Sequence, residues 1–289
     1  MDNSVSLICS RVRVEEKMLL AAFEKRGVEV RRYDERDLVL DLQRAEESDI
    51  SRSDLAFLRA IAHSRAVALS EILESWDIET VNSHRTIAMT GDKLSTTAAL
   101  VRAGVPCPAV RVAFDGPAAL RAAEGMGYPV VFKPVVGSWG RLISRANDRD
   151  AAEALIEHKV VLGSPSHGVF YVQQYVDKPG RDIRVFTIGG EPVAAIYRYS
   201  DHWVTNTARG AKVRVCPLYP EMVDVCRRAS LAVGGGLLAV DLLESDGELL
   251  VNEINHTMEF RNSVGPTGVD IPGLMVDYVI SQVEARDSR

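Results

Sequence analysis

Three oxygen-bearing side chains, Asp241, Glu253 and Asn255, interrupt what is otherwise an apolar hairpin, and they hold the most chemistry in this chain. Glu253 and Asn255 stand two apart, so on a strand they leave the same face. Residues 237–243 and 249–254 read as the two strands, with Ser245, Asp246 and Gly247 as turn chemistry between them. Asp241 joins the Glu253 face only if the connecting loop is odd in length, because a one-residue change turns the partner strand over. A loop of three or five residues is therefore predicted. Carboxylates rising out of a run such as Leu-Leu-Ala-Val are costly unless something neutralises them. Two carboxylates and an amide oxygen suit a magnesium ion carrying nucleotide phosphates. The alternative is a half-exposed strand face bearing ordinary surface acids.

Cations recur upstream. Lys133, flanked by Val131, Phe132 and Pro134, needs an anion if it points inward; on a sheet edge it would face water. Lys93 opens a helix, where a cation opposes the macrodipole unless a bound phosphate reverses the penalty; a solvated lysine is the alternative. Gly137, Ser138, Trp139, Gly140 and Arg141 connect two strands, and small residues there let backbone N–H groups approach phosphate oxygens. An ordinary glycine turn would look the same, and no Walker GK[ST] is present. Gln173, Gln174, Tyr175 and Val176 end a buried strand, where extended backbone could meet an adenine edge or simply form a hinge. Asp182 and Arg184 share one strand face, and Arg198 with Asn206, Thr207, Ala208 and Arg209 adds donors suited to phosphate or carboxylate. Of six histidines none has metal spacing, and His256 stands out only because it follows Asn255. There is no G-x-S-x-G, no Cys/His nucleophile pair and no zinc motif.

The elements that must position these groups form an α/β and α+β chain. At 289 residues, with 46% hydrophobic and 26% charged residues, it has the composition of a soluble globular protein of two or three domains. No apolar run approaches the roughly 18 residues that span a bilayer, and the start lacks an export leader, so neither a membrane nor secretion is expected. Four cysteines without a C-x-x-C pair fit a reducing cytoplasm. A net charge of −6 argues against nonspecific nucleic-acid binding. Residues 1–88 read as a βαβ domain: strands at 5–9, 28–33, 55–58 and 78–82, with helices at 15–26 and 64–76. It carries no G-x-G-x-x-G dinucleotide fingerprint. Residues 89–178 open with a helix over 92–101 and continue with strands at 109–114, 129–134 and 168–176 and helices at 117–126 and 150–158. Residues 179–289 begin with a hairpin around Gly189, Gly190, Glu191 and Pro192 and end in a helix over 272–285, with another helix at 221–233 before the acidic hairpin.

The order of these parts resembles ATP-grasp ligases from Val5 onward. It runs Lys93, then FKP, GSWGR, QQYV, GRDIRVF, NTARG, VDLLES and NEIN. Within that superfamily, residues 252–273 (NEINHTMEFRNSVGPTGVDIPG), FKPVVGSWGRL and WVTNTARG are similar to the LysX group, ligases that join α-aminoadipate to a carrier protein in lysine biosynthesis. The resemblance implies an ATP-grasp fold behind a Rossmann-like, pre-ATP-grasp domain, with ATP and Mg2+ as cofactors. It implies that Lys93, Lys133, Gly137, Ser138, Trp139, Gly140, Arg141, Gln173, Gln174, Tyr175, Val176, Arg184 and Asn206 meet ATP. Asp241, Glu253 and Asn255 would bind the metal. Arg198, Thr207, Ala208, His256, Thr257, Met258, Glu259, Phe260, Asn262 and Ser263 would line the amino-acid site, with Lys133, Arg141 and Arg184 stabilising transferred charge and Arg209 holding the acyl phosphate. Gln174 departs from the family's usual glutamate, which puts any side-chain contact to nucleotide in doubt.

The implied reaction phosphorylates the C-terminal glutamate side chain of a small acidic, LysW-like amino-group carrier protein, and the α-amino group of α-aminoadipate then attacks. Arg11 and Arg13 are candidates for meeting that carrier. The Asn262-Ser263 pair accompanies α-aminoadipate in the family. The alternatives are glutamate as the dicarboxylic amino acid, in arginine or specialised metabolism, a RimK-like protein glutamyl ligase, or a nucleotide-binding regulator without turnover. A homo-oligomer is expected, with no nucleic-acid partner.

Overall fold

The computed structural model describes residues 4–137, 141–163, 168–205 and 210–287. Its N-terminal sheet is all parallel, in the order β2-β1-β3-β4. The strands are β1 (Val5–Ile8), β2 (Val30–Tyr33), β3 (Leu55–Leu58) and β4 (Glu79–Val81), joined by helices α1 (Val14–Lys25) and α2 (His63–Ser75). β1 and β3 are buried along their whole length, as parallel strands covered on both faces must be. With β1 in the middle, the chain leaves to β2 on one side and returns to β3 on the other. The loops after β1 and β3 therefore part at the carboxyl edge and leave a crevice between them. Those loops carry Arg11, Arg13 and Arg59, and His63 opens α2 just beyond the second.

Two short helices, α3 (His84–Thr90) and α4 (Lys93–Arg102), lead out of this unit, and Asp92 caps α4 by accepting a 2.7 Å bond from Ser95 N. The next sheet is antiparallel, in the order β5-β8-β6-β7, with β5 Val110–Ala113, β6 Val130–Lys133, β7 Ser144–Ala146 and β8 Phe170–Gln174. Helices α5 (Gly116–Glu124) and α6 (Arg149–Leu162) cover one face, burying Ala119, Ala123, Ala152 and Ile156 against Val130, Phe132, Phe170 and Val172. Strand alternation then sends Val131, Lys133, Tyr171 and Gln173 to the other face, where Val131 pairs with Gln173 and Lys133 with Tyr171. α6 runs to Leu162, past the expected end at 158, because no glycine or proline interrupts residues 159–162 before Gly163, and Lys159 and Leu162 offset the weaker helix formers Val160 and Val161.

The C-terminal sheet has the order β11-β10-β9-β12-β13, all antiparallel: β9 Arg181–Ile188, β10 Glu191–Tyr199, β11 Lys212–Cys216, β12 Leu237–Ser245 and β13 Glu248–Asn255. Helix α7 (Pro220–Ala232) packs Met222, Val225, Cys226 and Ala229 on Ile183, Val185, Leu238, Val240 and Leu242. The opposite face is divided. Phe186, Ala194, Ile196, Leu237 and Ala239 join the N-terminal sheet and α9 (Ile271–Asp287) in one core, while Asp182, Arg184, Arg198, Asp241 and Glu253 continue that face as a charged patch. A short helix, α8 (Arg261–Thr267), precedes α9. Among the described residues no helix is long and apolar enough to cross a membrane.

The β12–β13 hairpin corrects one expectation. Its loop is the two-residue Asp246-Gly247, both at positive φ (50° and 83°), as a type I′ turn requires. An even loop alone would set Asp241 opposite Asn252. A β-bulge restores the parity: Asp241 pairs with Glu253, Leu242 with Val251, and Asn252 is the extra residue. The odd residue that puts Asp241 and Glu253 on one face thus lies in the strand and not in the turn.

Candidate active site

A cleft of about 800 Å³ lies between the odd-numbered face of the central sheet and the charged patch of the C-terminal sheet, closed at one end by the loops of the N-terminal sheet. Nine arginines and lysines line it against four acids, in a chain whose net charge is −6. Such a lining concentrates positive potential in a low-dielectric groove, which favours a polyanion.

The acidic pair sits on the floor. Asp241 is buried, and Arg184 holds both its oxygens from Nε and Nη2 at 2.8 Å, while Arg198 reaches it at 3.1 Å. Burial would raise its carboxyl pKa, but Arg184 and Arg198 outweigh burial and hold it below the usual carboxylate range. Arg198 also donates to Asp182 at 2.6 and 2.8 Å, so Asp182 and Arg198 sit side by side on adjacent strands. Thr205 donates to Asp182 and accepts from Lys178 Nζ at 2.6 Å. Burial, the larger influence, lowers the Lys178 ammonium pKa against the pull of Asp182.

Three observations decide whether a divalent cation fits. Among the described residues Glu253 forms one ion pair, with Lys93 at 3.5 Å, and Lys133 is close enough to feel its charge. The Nδ2 of Asn255 is buried with no hydrogen-bond partner among the described residues; that donor suits a phosphate oxygen or water, and only the Oδ1 of the same amide could ligate a cation. Among the described residues no three of His, Cys, Asp and Glu converge, so the donors are two carboxylates facing each other across a strand pair plus one amide. That set suits an ion completing its coordination with phosphate and water. Asp241 keeps lone pairs beyond those its arginines occupy.

Lys133, buried on the sheet face above, donates to Asn252 Oδ1 at 2.9 Å, and Gln173 Nε2 donates to the same oxygen at 3.2 Å. Burial, only partly offset by Glu253, brings the Lys133 ammonium pKa down to about 8. Lys93 donates to the Gly137 carbonyl at 2.6 Å, which ties the start of α4 to the 137–141 connection. Asn252, the bulge residue, thus anchors two expected nucleotide contacts and was missed by the sequence reading. Its signal was the parity mismatch itself. Gln174, Tyr175 and Val176 line the same end; Gln174 is exposed and its backbone N bonds Ala109 O at 2.9 Å. The Arg145 guanidinium lies 5.0 Å from the Tyr175 ring.

At the other end His256, Thr257 and Glu259 line the cleft, but Met258 and Phe260 turn into the core. Asn262 is exposed at the start of α8, Ser263 is buried, and neither lines the cleft. His63, also missed, packs beside His256 with ring centroids 5.8 Å apart and has a buried, unpartnered Nδ1. A Cβ on Gly91 would fall 1.8 Å from the His63 ring, so a glycine is needed there. Burial pushes the His256 imidazole pKa down to about 4, with His63 and Arg59 adding to the effect. Arg11, Arg13, Arg36 and Arg65 surround this mouth. Arg141 is exposed and outside the cleft wall. Ser138, Trp139, Gly140, Asn206, Thr207, Ala208 and Arg209 lie outside the described residues.

Comparison with known proteins agrees with this layout. Residues 5–89 match the LysX preATP-grasp domain and residues 90–279 match the RimK-like ATP-grasp domain. An alpha-aminoadipate–LysW ligase, LysX, of Saccharolobus solfataricus is 33% identical over 94% of this chain and 99% of its own length. A glutamate–LysW ligase, ArgX, of Sulfolobus acidocaldarius is also 33% identical, over 95% of this chain and 97% of its own. The crystal structure of a RimK domain ATP-grasp protein from Sphaerobacter thermophilus superposes with a TM-score of 0.81 at 27% identity, covering 95% of this chain and 98% of that one. ATP-grasp ligases use ATP and Mg2+, for which the cleft has the cations and the oxygen donors. Two sheets closing on a cation-lined groove, and two contiguous domain matches, lead to one conclusion: this chain belongs to the RimK-like ATP-grasp ligases, with a LysX-type pre-ATP-grasp domain at its front.

Proposed function

We propose that this enzyme joins the α-amino group of α-aminoadipate to the side-chain carboxylate of a C-terminal glutamate on a small acidic carrier protein, at the expense of ATP. The observation that carries the reading is the excess of cations between the two sheets, Lys93, Lys133, Lys178, Arg184 and Arg198 against Asp182, Asp241 and Glu253, which a polyphosphate would balance. Asp241, Glu253 and Asn255 would hold magnesium, which when bound neutralises phosphate charge. Lys93 and Lys133 orient the phosphates, and Gln173 to Val176 border the base. A carboxylate oxygen of the acceptor attacks the γ-phosphorus, the bond to ADP breaks, and Arg184 stabilises the transferred charge. The amine then attacks the acyl carbon, an isopeptide bond forms, phosphate leaves and the amine loses a proton. No enzyme nucleophile takes part; the residues position reactants and exclude water from the acyl phosphate.

At the mouth Arg11 suits an acidic tail entering from the carrier side, while Arg13, Arg36 and Arg65 already pair with Glu16, Asp34 and Glu35. Overall identity is the same to the LysX and ArgX relatives, so it does not separate α-aminoadipate from glutamate. The Asn262-Ser263 pair supports α-aminoadipate through the family resemblance alone, since neither residue lines the cleft. In the deciding experiment a small acidic carrier is incubated with enzyme, ATP and each amino acid, and the mass gain is read. An α-aminoadipate adduct is expected. A glutamate adduct would move the enzyme to the ArgX side, and glutamate added to an unrelated protein tail would make it a RimK-like modifier.

A further inference from the structure

The peptide after the acidic hairpin is held from the N-terminal unit at two carbonyls. Asn82, following β4, donates from Nδ2 to His256 O at 2.9 Å and to Leu237 O at 2.8 Å, and its Oδ1 accepts from Leu237 N at 2.6 Å. The fit admits only glycine at position 236, where a Cβ would lie 2.2 Å from Asn82 Oδ1. Arg59, following β3, is 2% exposed; its Nη2 donates to Met258 O at 3.0 Å and its Nε to Glu16 at 3.0 Å. The guanidinium also stands 5.9 Å from the Phe260 ring. Arg13, following β1, completes the set with Glu259 at 3.2 Å and Glu16 at 2.8 Å.

A buried ion pair is a weak source of stability, since apolar residues of similar volume often replace it without loss. The planar fork of Arg59 does something an apolar residue cannot: one edge is fixed by Glu16 and the other grips a main-chain carbonyl. Holding Met258 and Phe260 in the core turns the alternate residues Thr257 and Glu259 to the cleft, next to His256.

We propose that Arg59, seated on Glu16, is a positioning residue for the amino-acid end of the cleft: it fixes the carbonyl of Met258 and so sets the pose of the residues that meet the incoming dicarboxylic amino acid. This rests on the function proposed above. Three proteins test it: wild type, R59K, and the double variant E16M/R59M, which leaves neither charge unpaired. Hydrogen exchange is read across the chain, and KM is measured separately for ATP and for amino acid. In the double variant we expect faster exchange confined to residues 256–260, an amino-acid KM raised about tenfold and an ATP KM within about twofold of wild type. R59K keeps the charge opposite Glu16 and loses the fork, so its amino-acid KM should rise about threefold. If the double variant does not fold, R59K alone decides. An unchanged amino-acid KM, an equal loss for both substrates, or unaltered exchange at 256–260 overturns the proposal and leaves the ligase reading standing. Wild-type protein that ligates no dicarboxylic amino acid overturns the ligase reading, and this proposal with it.

Discussion

Two groups of buried charges flank residues 256–260, and they are balanced differently. The first, Arg13, Glu16, Arg59 and Glu259, pairs two cations with two acids through directed bonds of 2.8–3.2 Å. Glu16 and Arg59 are closed to water, with side chains 0% and 1% exposed. The second, on the cleft floor, sets five cations around three acids and, among the described residues, leaves Glu253 with one ion pair and the Nδ2 of Asn255 without an acceptor. Both take charges out of water, at a cost that only partners offset. The first group is complete within the chain. The second depends on an added anion and cation. A buried charge is therefore a sign of function when its neighbours do not balance it, and a sign of construction when they do.

The sharpest way to break this comparison is Glu253→Ala. ATP turnover should fall about 1,000-fold with melting within about 2 °C of wild type, and chelating the metal should mimic it in the wild type. An active variant would remove Glu253 from the metal site. Lys133→Met should cost about 100-fold in turnover, yet leave the ligand-free protein as stable or more so, because among the described residues the buried lysine has no ion pair and Glu253 only partly offsets its burial. The pH dependence has a definite sign. Lys133 has a folded pKa of about 8 against the usual 10.5, so the unfolded chain binds more protons between those values. Wild-type stability relative to the variant should then rise as pH rises through that window, which paired melts would show.

In the balanced group the pattern inverts. Glu16→Gln should destabilise the protein by about 3 kcal/mol, since Arg59 is left buried without its partner, while ATP turnover per folded molecule stays within about threefold of wild type. Burial opposes ionisation of Glu16, but Arg13 and Arg59 outweigh it and hold its carboxyl below the usual range. Its contribution is present above the ordinary glutamate pKa and is lost as pH falls through the folded one. Melts taken down to pH 3 should fall more steeply in wild type than in E16M/R59M. The smallest effect belongs to Asn252→Ala, which frees Lys133 and Gln173: about a fivefold rise in ATP KM with little change in kcat. A kcat effect larger than the KM effect would show that Asn252 acts in the chemical step.

Strand and helix positions were largely legible, because alternation and caps are local. Lys133 followed from a cation in an apolar strand, and the Asp241–Glu253 face followed from the period of two. The turn type did not, since Asp-Gly accepts positive φ and a bulge can absorb the odd residue elsewhere. Arg59, Asn82 and His63 carried no local signal: Arg59 and Asn82 each sit just past a strand in ordinary sequence, with roles that come from partners 155 to 199 positions away, and His63 is an ordinary first residue of a helix. Residue order alone determined which chemistry the chain carries and which strand faces bear it, because side-chain type and alternation are properties of neighbours along the backbone. Only the packing of three sheets decided which of those groups share a cleft, which charges go unbalanced there, and which core residues hold the peptide that lines it, because burial and electrostatic partnership are set by distance in space.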